Sequence, residues 1–256
     1  MTRAFRIVQR NALVYRRLWR GSVVVSVLTP AMYLAAMGFG VGALVDRGTS
    51  VLPGGVSYLA FLGPGLLAAT CMQAAAMESS WPINGKMIWH RNYDALASTP
   101  MRIVDIVVGE LAWIAVRLLI IATVYVLVLT LFGAARSSMV VAAIPGGVLT
   151  GMAVAAPVMA YAATLKPGQN FNVLHRFIVM PLFLFSGTFF PVTRLPVPLQ
   201  YLATLTPLYH GVELTRGVVL HTLTWPMALV HLAFLLVLCV CGCVAAVSTF
   251  TRRLRI

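Results

Sequence analysis

Six predominantly apolar stretches of about twenty residues or more run through this chain of 256 residues. They cover 22–45, 56–81, 103–132, 139–165, 171–190 and 223–250. A hydrocarbon core about 30 Å thick takes roughly 20 apolar residues at a rise of about 1.5 Å each. Inside it every backbone N–H and C=O must find a partner within the protein, and a helix supplies one from its own chain. The pattern predicts an all-α membrane protein with six transmembrane helices. Composition agrees, with 60% hydrophobic and 10% charged residues, against about 25% charged in a soluble domain. The first run exceeds a signal-peptide core, and no A-x-A cleavage pattern follows it.

The net charge of +13 raises the possibility of a nucleic-acid partner. The basic residues do not gather on one polar face, however. They flank the apolar runs, as the topology of a membrane protein requires, and no nucleic acid is expected. Fourteen stand on one side: Arg3, Arg6, Arg10, Arg16, Arg17, Arg20, Lys86, Arg91, Arg102, Lys166, Arg176, Arg252, Arg253 and Arg255. Four stand on the other: Arg47, Arg136, Arg194 and Arg216. This asymmetry predicts both termini in the cytoplasm. Residues 1–21 combine arginines with Phe5, Val8, Leu13, Leu18 and Trp19, a pattern for a helix lying on the inner leaflet; the plainer reading is a basic flank that sets topology.

Few ionisable residues lie within or beside the runs, where they are costly and tend to be paired or functional. Glu78 is near the cytoplasmic end of the second run. Glu110 and Arg117, in the third, are seven residues apart, nearly on one face and about 10 Å apart along the axis. They serve a substrate path or a structural pairing. Residues 82–102 form the longest cytoplasmic loop, and within it NYDALASTP has the makings of a short helix ended by Pro100. Arg91, Tyr93, Asp94 and Leu96 suit docking into a protein groove, or else a solvated connector.

After the fifth run, Pro191, Pro196 and Pro198 break the chain, yet 191–222 stays apolar. It is too apolar for an ordinary loop and too interrupted to span. Two short helices dipping back into the outer leaflet reconcile both facts. In PLYHGVELTRG, His210, Glu213 and Arg216 recur every third residue and predict one polar stripe. No Walker A, G-x-S-x-G or H-E-x-x-H motif occurs. The histidines show no i,i+4 pair, so neither catalysis nor a metal site is expected. CVCGC, 239–243, reads as small packing residues.

Two stretches carry a family resemblance: residues 55–80 (GVSYLAFLGPGLLAATCMQAAAMESS) continuing through NYDALASTPMRIVDIVVGELAW, and residues 183–217 (FLFSGTFFPVTRLPVPLQYLATLTPLYHGVELTRG). The chain resembles the type-2 ABC exporter permeases over nearly its whole length, and most the lipooligosaccharide, Nod-factor-exporter (NodJ-like) branch. The resemblance implies a non-catalytic transmembrane subunit of the bacterial cytoplasmic membrane that moves an amphipathic substrate, a glycolipid or lipooligosaccharide, outward. It implies two separate ATPase subunits that bind ATP and Mg, and a second permease, identical or different. Arg91, Asn92, Tyr93, Asp94, Leu96, Thr99 and Pro100 would form the coupling helix, with spans one and five facing the partner permease. Pro191, Arg194, His210, Glu213 and Arg216 would belong to an outer gate over the exit. A hydrophobic-drug exporter of the same fold is the nearest alternative, and a secondary transporter a more distant one.

Overall fold

A computed structural model describes residues 2–42, 56–89, 92–133, 138–166 and 171–254. Among them the chain is helical, with no strand. Nine helices follow in order: α1 (Thr2–Ala35), α2 (Tyr58–Ile88), α3 (Asn92–Ala97), α4 (Ile103–Leu131), α5 (Ala143–Thr164), α6 (Asn172–Phe185), α7 (Val197–Thr204), α8 (Pro207–Val219) and α9 (Trp225–Leu254). Among the described residues four segments are long and apolar enough to cross a membrane: α2, α4, Met139–Thr164 and α9. The apolar α6 is shorter, and the first apolar run occupies the C-terminal half of α1 and the π-helical turn Ala36–Val41.

The helix starts follow from local chemistry. Ser57 accepts a hydrogen bond from the Ala60 N–H and caps α2. Asp105 accepts one from the Arg102 N–H at the start of α4. Thr206 caps α8 through the Tyr209 N–H, with Pro207 at the first position, where its missing N–H costs nothing.

α2 is the central element. Leu66, Leu67, Ala68, Cys71, Met72, Ala75 and Ala76 are buried around its circumference. α4, α5 and α8 surround it; α1 lies against α4 and α9 against α5. Small residues set these distances. A Cβ at Gly151 on α5 would sit 2.6 Å from Leu118 and 3.0 Å from the Cys71 carbonyl oxygen on α2. At Gly242 on α9 it would sit 2.5 Å from the Pro157 ring. In lipid, where apolar surface gains little from mere association, such close backbone contact is a main source of helix–helix attraction.

Three expected boundaries move. The expected break between an interfacial helix (1–21) and a first span (22–45) does not occur, and α1 runs through it. Gly21, with a helix cost of only about 1 kcal/mol, cannot stop a helix unaided. The expected loop 82–102 begins as helix, since α2 continues to Ile88 past Pro82. The fifth run ends as helix at Phe185, before the three prolines rather than at them. Gly187 has φ +83°, a conformation that ends helices, so the prolines follow a break already made.

Gly151→Val should lower stability in detergent by about 1–3 kcal/mol through overpacking, read as an earlier thermal transition. Gly85→Ala, where a Cβ meets nothing within 4 Å, should leave that transition unchanged or raise it.

Candidate functional site

Three polar clusters stand along α2, and Glu78, Glu110, Arg117 and Arg216 of the expected site residues are at their centres. The first lies at its C-terminal end. The Glu110 carboxylate on α4 is 1% exposed and accepts from Lys86 Nζ at 2.7 Å and from Asn11 Nδ2 at 2.9 Å. Lys86 also donates to Asn11 Oδ1 at 3.2 Å. One buried carboxylate thus joins α1, α2 and α4, its charge offset by an ammonium group as burial requires. Tyr93 on α3 is fully buried beside this cluster, edge-on to Phe250 of α9 at 5.5 Å. Burial and the charge of Glu110 hold its phenol well above the usual value, so it stays neutral.

α3 is therefore tied down on several sides. Leu96 packs against the core, and its carbonyl accepts from the Thr99 hydroxyl at 2.6 Å. The Pro100 carbonyl accepts from the Arg3 guanidinium of α1. Ile7 and Ala4 of α1 press on Gly109 of α4, where a Cβ would meet the Ala4 carbonyl oxygen at 2.9 Å. The inward side of the N-terminal helix is thus Ile7 and Asn11, whereas Phe5 and Leu13, expected on its apolar side, are exposed. Thr99 and Pro100 are exposed. Arg91 and the side chains of Asn92 and Asp94 lie outside the described residues.

The second cluster is two turns further along α2. Arg117 donates through Nη2 and Nε to Glu78 Oε1 at 2.7 and 3.0 Å, and its guanidinium lies 4.2 Å from the centroid of the Tyr15 ring. Glu110 and Arg117, close on one face of α4, thus take separate partners on α2.

The third cluster surrounds Gly63-Pro64-Gly65. Pro64 lacks the N–H that a helix interior uses and its ring crowds the preceding turn, yet α2 runs through unbroken. Side chains serve its carbonyls: Arg216 Nε donates to Phe61 O at 3.1 Å, Tyr125 to Gly63 O at 2.9 Å and Thr215 to Pro64 O at 2.9 Å. Arg216 Nη2 also reaches Gly187 O at 2.9 Å and Thr188 O at 3.3 Å, in the irregular stretch after α6. Its guanidinium stacks on Phe61 at 3.7 Å. Arg216 is 7% exposed. Desolvation pushes it down to about 10, partly offset by Glu213, which leaves it charged at neutral pH.

His210, Glu213 and Arg216 do not make one stripe. Each three-residue step turns a helix by about 300°, so the set fans across about 120°. Arg216 faces α2. Glu213, more exposed, touches Arg216 at 3.5 Å. His210 faces α9: its Nδ1 is 2.8 Å from His231 Nδ1, its Nε2 is 2.9 Å from Thr204 O, and its ring stacks on Phe234 at 3.9 Å. Arg194 is exposed and Pro191 half-buried at the 3₁₀ turn Val192–Arg194. Sequence reasoning missed Asn11, Lys86, Thr215 and His231 as partners. A unit charge without a partner was the available signal for Lys86: Glu110 needed a cation, and Lys86 was the one at the matching depth.

The match to known proteins now bears on these clusters. Residues 2–220 match the family described as ABC-2 type transporter. The chain belongs to that family. Its relatives include nodulation protein J of Rhizobium leguminosarum bv. viciae, 33% identical over 83% of this chain and 80% of that protein. Nodulation protein J of Sinorhizobium fredii is 32% identical over 96% of this chain and 92% of its own length. The chain is thus a membrane-embedded permease of the ABC transporter type, and the NodJ-like branch is the one it resembles. α1, α3, α7 and α8 all lie within the matched region.

Burial and the neighbouring His231 hold the His210 imidazole below the ordinary histidine value. The native state thus favours the neutral ring, and its contribution to stability is present above about pH 6.5 and lost as pH falls below it. Thermal midpoints should decline between pH 7 and 5, and less so in His231→Gln, where the paired imidazole is gone.

Proposed function

We propose that the chain is the membrane subunit of an ATP-driven exporter that moves an amphipathic substrate, a glycolipid or lipooligosaccharide, out across the bacterial cytoplasmic membrane. ATP and Mg are bound by a separate ATPase subunit, and two permease chains, alike or different, form the working unit. Both termini face the cytoplasm, in keeping with the fourteen-to-four distribution of basic residues. Family membership and the NodJ-like relatives support export as the activity.

The observation that carries the coupling role is the seating of α3. A helix of six residues is far too short to be stable unaided. Here it is held by a fully buried Tyr93, by Leu96 and, just beyond it, by the Arg3–Pro100 contact. A push on α3 is passed to α1 and α4 through the carboxylate of Glu110, and to α9 through Phe250. In this reading Arg91, Asn92, Tyr93, Asp94, Leu96, Thr99 and Pro100 form the surface and footing on which the ATPase acts. Glu78, Glu110 and Arg117 line or brace the substrate path, and Pro191, Arg194, His210, Glu213 and Arg216 belong to the outer gate.

Purified in mild detergent, the permease should bring an ATP-binding ABC subunit with it. Replacing residues 92–100 by a Gly/Ser segment of equal length should abolish that association while membrane insertion persists. Transport by the permease alone in proteoliposomes, driven by a proton gradient, would contradict the reading.

A further inference from the structure

Among the described residues two buried side-chain oxygens make no hydrogen bond: Thr188 Oγ1 and the Tyr93 hydroxyl. A hydroxyl buried without a partner costs stability, and in a native structure it calls for a physical reason. Tyr93 is the one that lies in the proposed coupling region. It is fully buried on α3, a helix of six residues, with its ring edge-on to Phe250 of α9. A phenylalanine would fill the same space without the cost. The hydroxyl faces the Glu110 carboxylate, whose charge acts on it, yet stands outside ordinary hydrogen-bond geometry. That carboxylate has room for it. Lys86 Nζ donates to Oε1 at 2.8 Å and to Oε2 at 2.7 Å, and Asn11 Nδ2 donates to Oε2 at 2.9 Å. A carboxylate offers about four acceptor sites, so Oε1, with a single donor, has a place left.

We propose that Tyr93 is a positioning residue whose hydroxyl bonds to Glu110 only when the ATPase subunit seats α3. This deepens the exporter reading and rests on it. A small shift of α3 toward α4 completes the bond, and one carboxylate then ties α1, α2, α3 and α4 together. Before that shift α3 is held by the packing of Tyr93 and Leu96 and by the Arg3–Pro100 contact. Apolar packing is not directional, so it leaves α3 free to settle into a second position. The energetic direction follows. The hydroxyl without a partner raises the free energy of the resting form, and its bond to a charged acceptor, stronger than a neutral one, lowers that of the docked form. The difference between the two forms is what a partner can draw on to shift the population. Tyr93 is fully buried and offers the ATPase nothing to touch. An effect of its hydroxyl on docking therefore passes through its buried neighbours.

Two measurements test this. The first uses the free permease in detergent, without ATPase. Tyr93→Phe should keep or raise the thermal midpoint, because it removes a hydroxyl that has no partner and leaves the ring packed. Tyr93→Leu, which loses the ring, should lower it. A clear fall in Tyr93→Phe would overturn the proposal, since the hydroxyl would then be bonded at rest. The second titrates the permease in nanodiscs with the ATP-binding subunit that co-purifies with it. Tyr93→Phe should weaken association about tenfold, equivalent to about 1.4 kcal/mol. Amides in 103–114 should exchange more slowly once the ATPase is added to the native chain, and not in Tyr93→Phe. The background Glu110→Met with Lys86→Met removes the acceptor without leaving a lone buried cation. There, loss of the hydroxyl should change association by about twofold or less, the range expected of uncoupled sites. Native association by Tyr93→Phe would overturn the proposal, and so would a tenfold loss that persists in that background. A native chain that binds no ATPase would defeat the exporter reading itself, and is told apart because the first measurement needs no partner.

Discussion

One guanidinium buried among carbonyls decides where α8 sits against α2 and the end of α6. Arg216 donates at once to Phe61 of the central helix and to Gly187 and Thr188 beyond the end of α6. In a membrane protein an unmet carbonyl and an unmet cation are both expensive, and here each meets the other's need. The consequence is architectural. α6 can stop at Phe185, with its trailing carbonyls exposed by Gly187, because α8 brings the donor. Thr215, the neighbouring residue, adds a hydrogen bond to Pro64, and the Thr206 hydroxyl that caps α8 is 3.0 Å from Ser186. α8 is thereby joined both to α2 and to the break that precedes it.

The same logic repeats along α2 toward the other face. Glu78 holds Arg117, and Lys86 with Asn11 holds Glu110. Each cluster ties α2 to a different set of neighbours: α8 and the α6 end, then α4 with α1, then α1, α4 and α3. Between them α2 makes further polar contacts, from Ser80 to His175 and from Asn84 to the Ala162 carbonyl, but its charged ties to other elements are these three clusters. For a permease that is a useful arrangement. It links the short helix proposed to meet the ATPase with the helices proposed to cap the exit, through one rigid buried rod.

Much of the fold was legible because apolar length is a strong signal: the runs at 103–132 and 139–165 correspond closely to Ile103–Leu131 and Met139–Thr164. The misplaced boundaries concern helices that continue past a glycine or proline, or stop before one, where the local signal was weak or depended on neighbours. Pro64 lies inside α2 where side chains of α4 and α8 meet the carbonyls of Phe61, Gly63 and Pro64, and no local rule reveals such neighbours. The end of α6 depends on an arginine twenty-nine residues away in sequence from Gly187. In the sites, the ionisable residues that stood out as costly, Glu78, Glu110 and Arg117, are at the centres of two clusters, whereas Arg216, read only as part of a polar stripe, is at the centre of the third. Their partners were not legible, since pairing across helices is set by depth and rotation. The triplet His210, Glu213 and Arg216 shows this directly: the spacing was visible, but the division between α9 and α2 follows only from where those helices lie.

Hydrogen–deuterium exchange on Arg216→Met tests the central claim most directly. The account predicts that amides in 186–190 and 207–219 exchange at least about tenfold faster, a local loss of about 1.4 kcal/mol or more. Arg216→Lys should give a partial effect, and α5 (Ala143–Thr164) should stay as protected as in the native chain. Unchanged protection across 186–190 and 207–219 in Arg216→Met would contradict it, because these segments would then be held in place without the guanidinium.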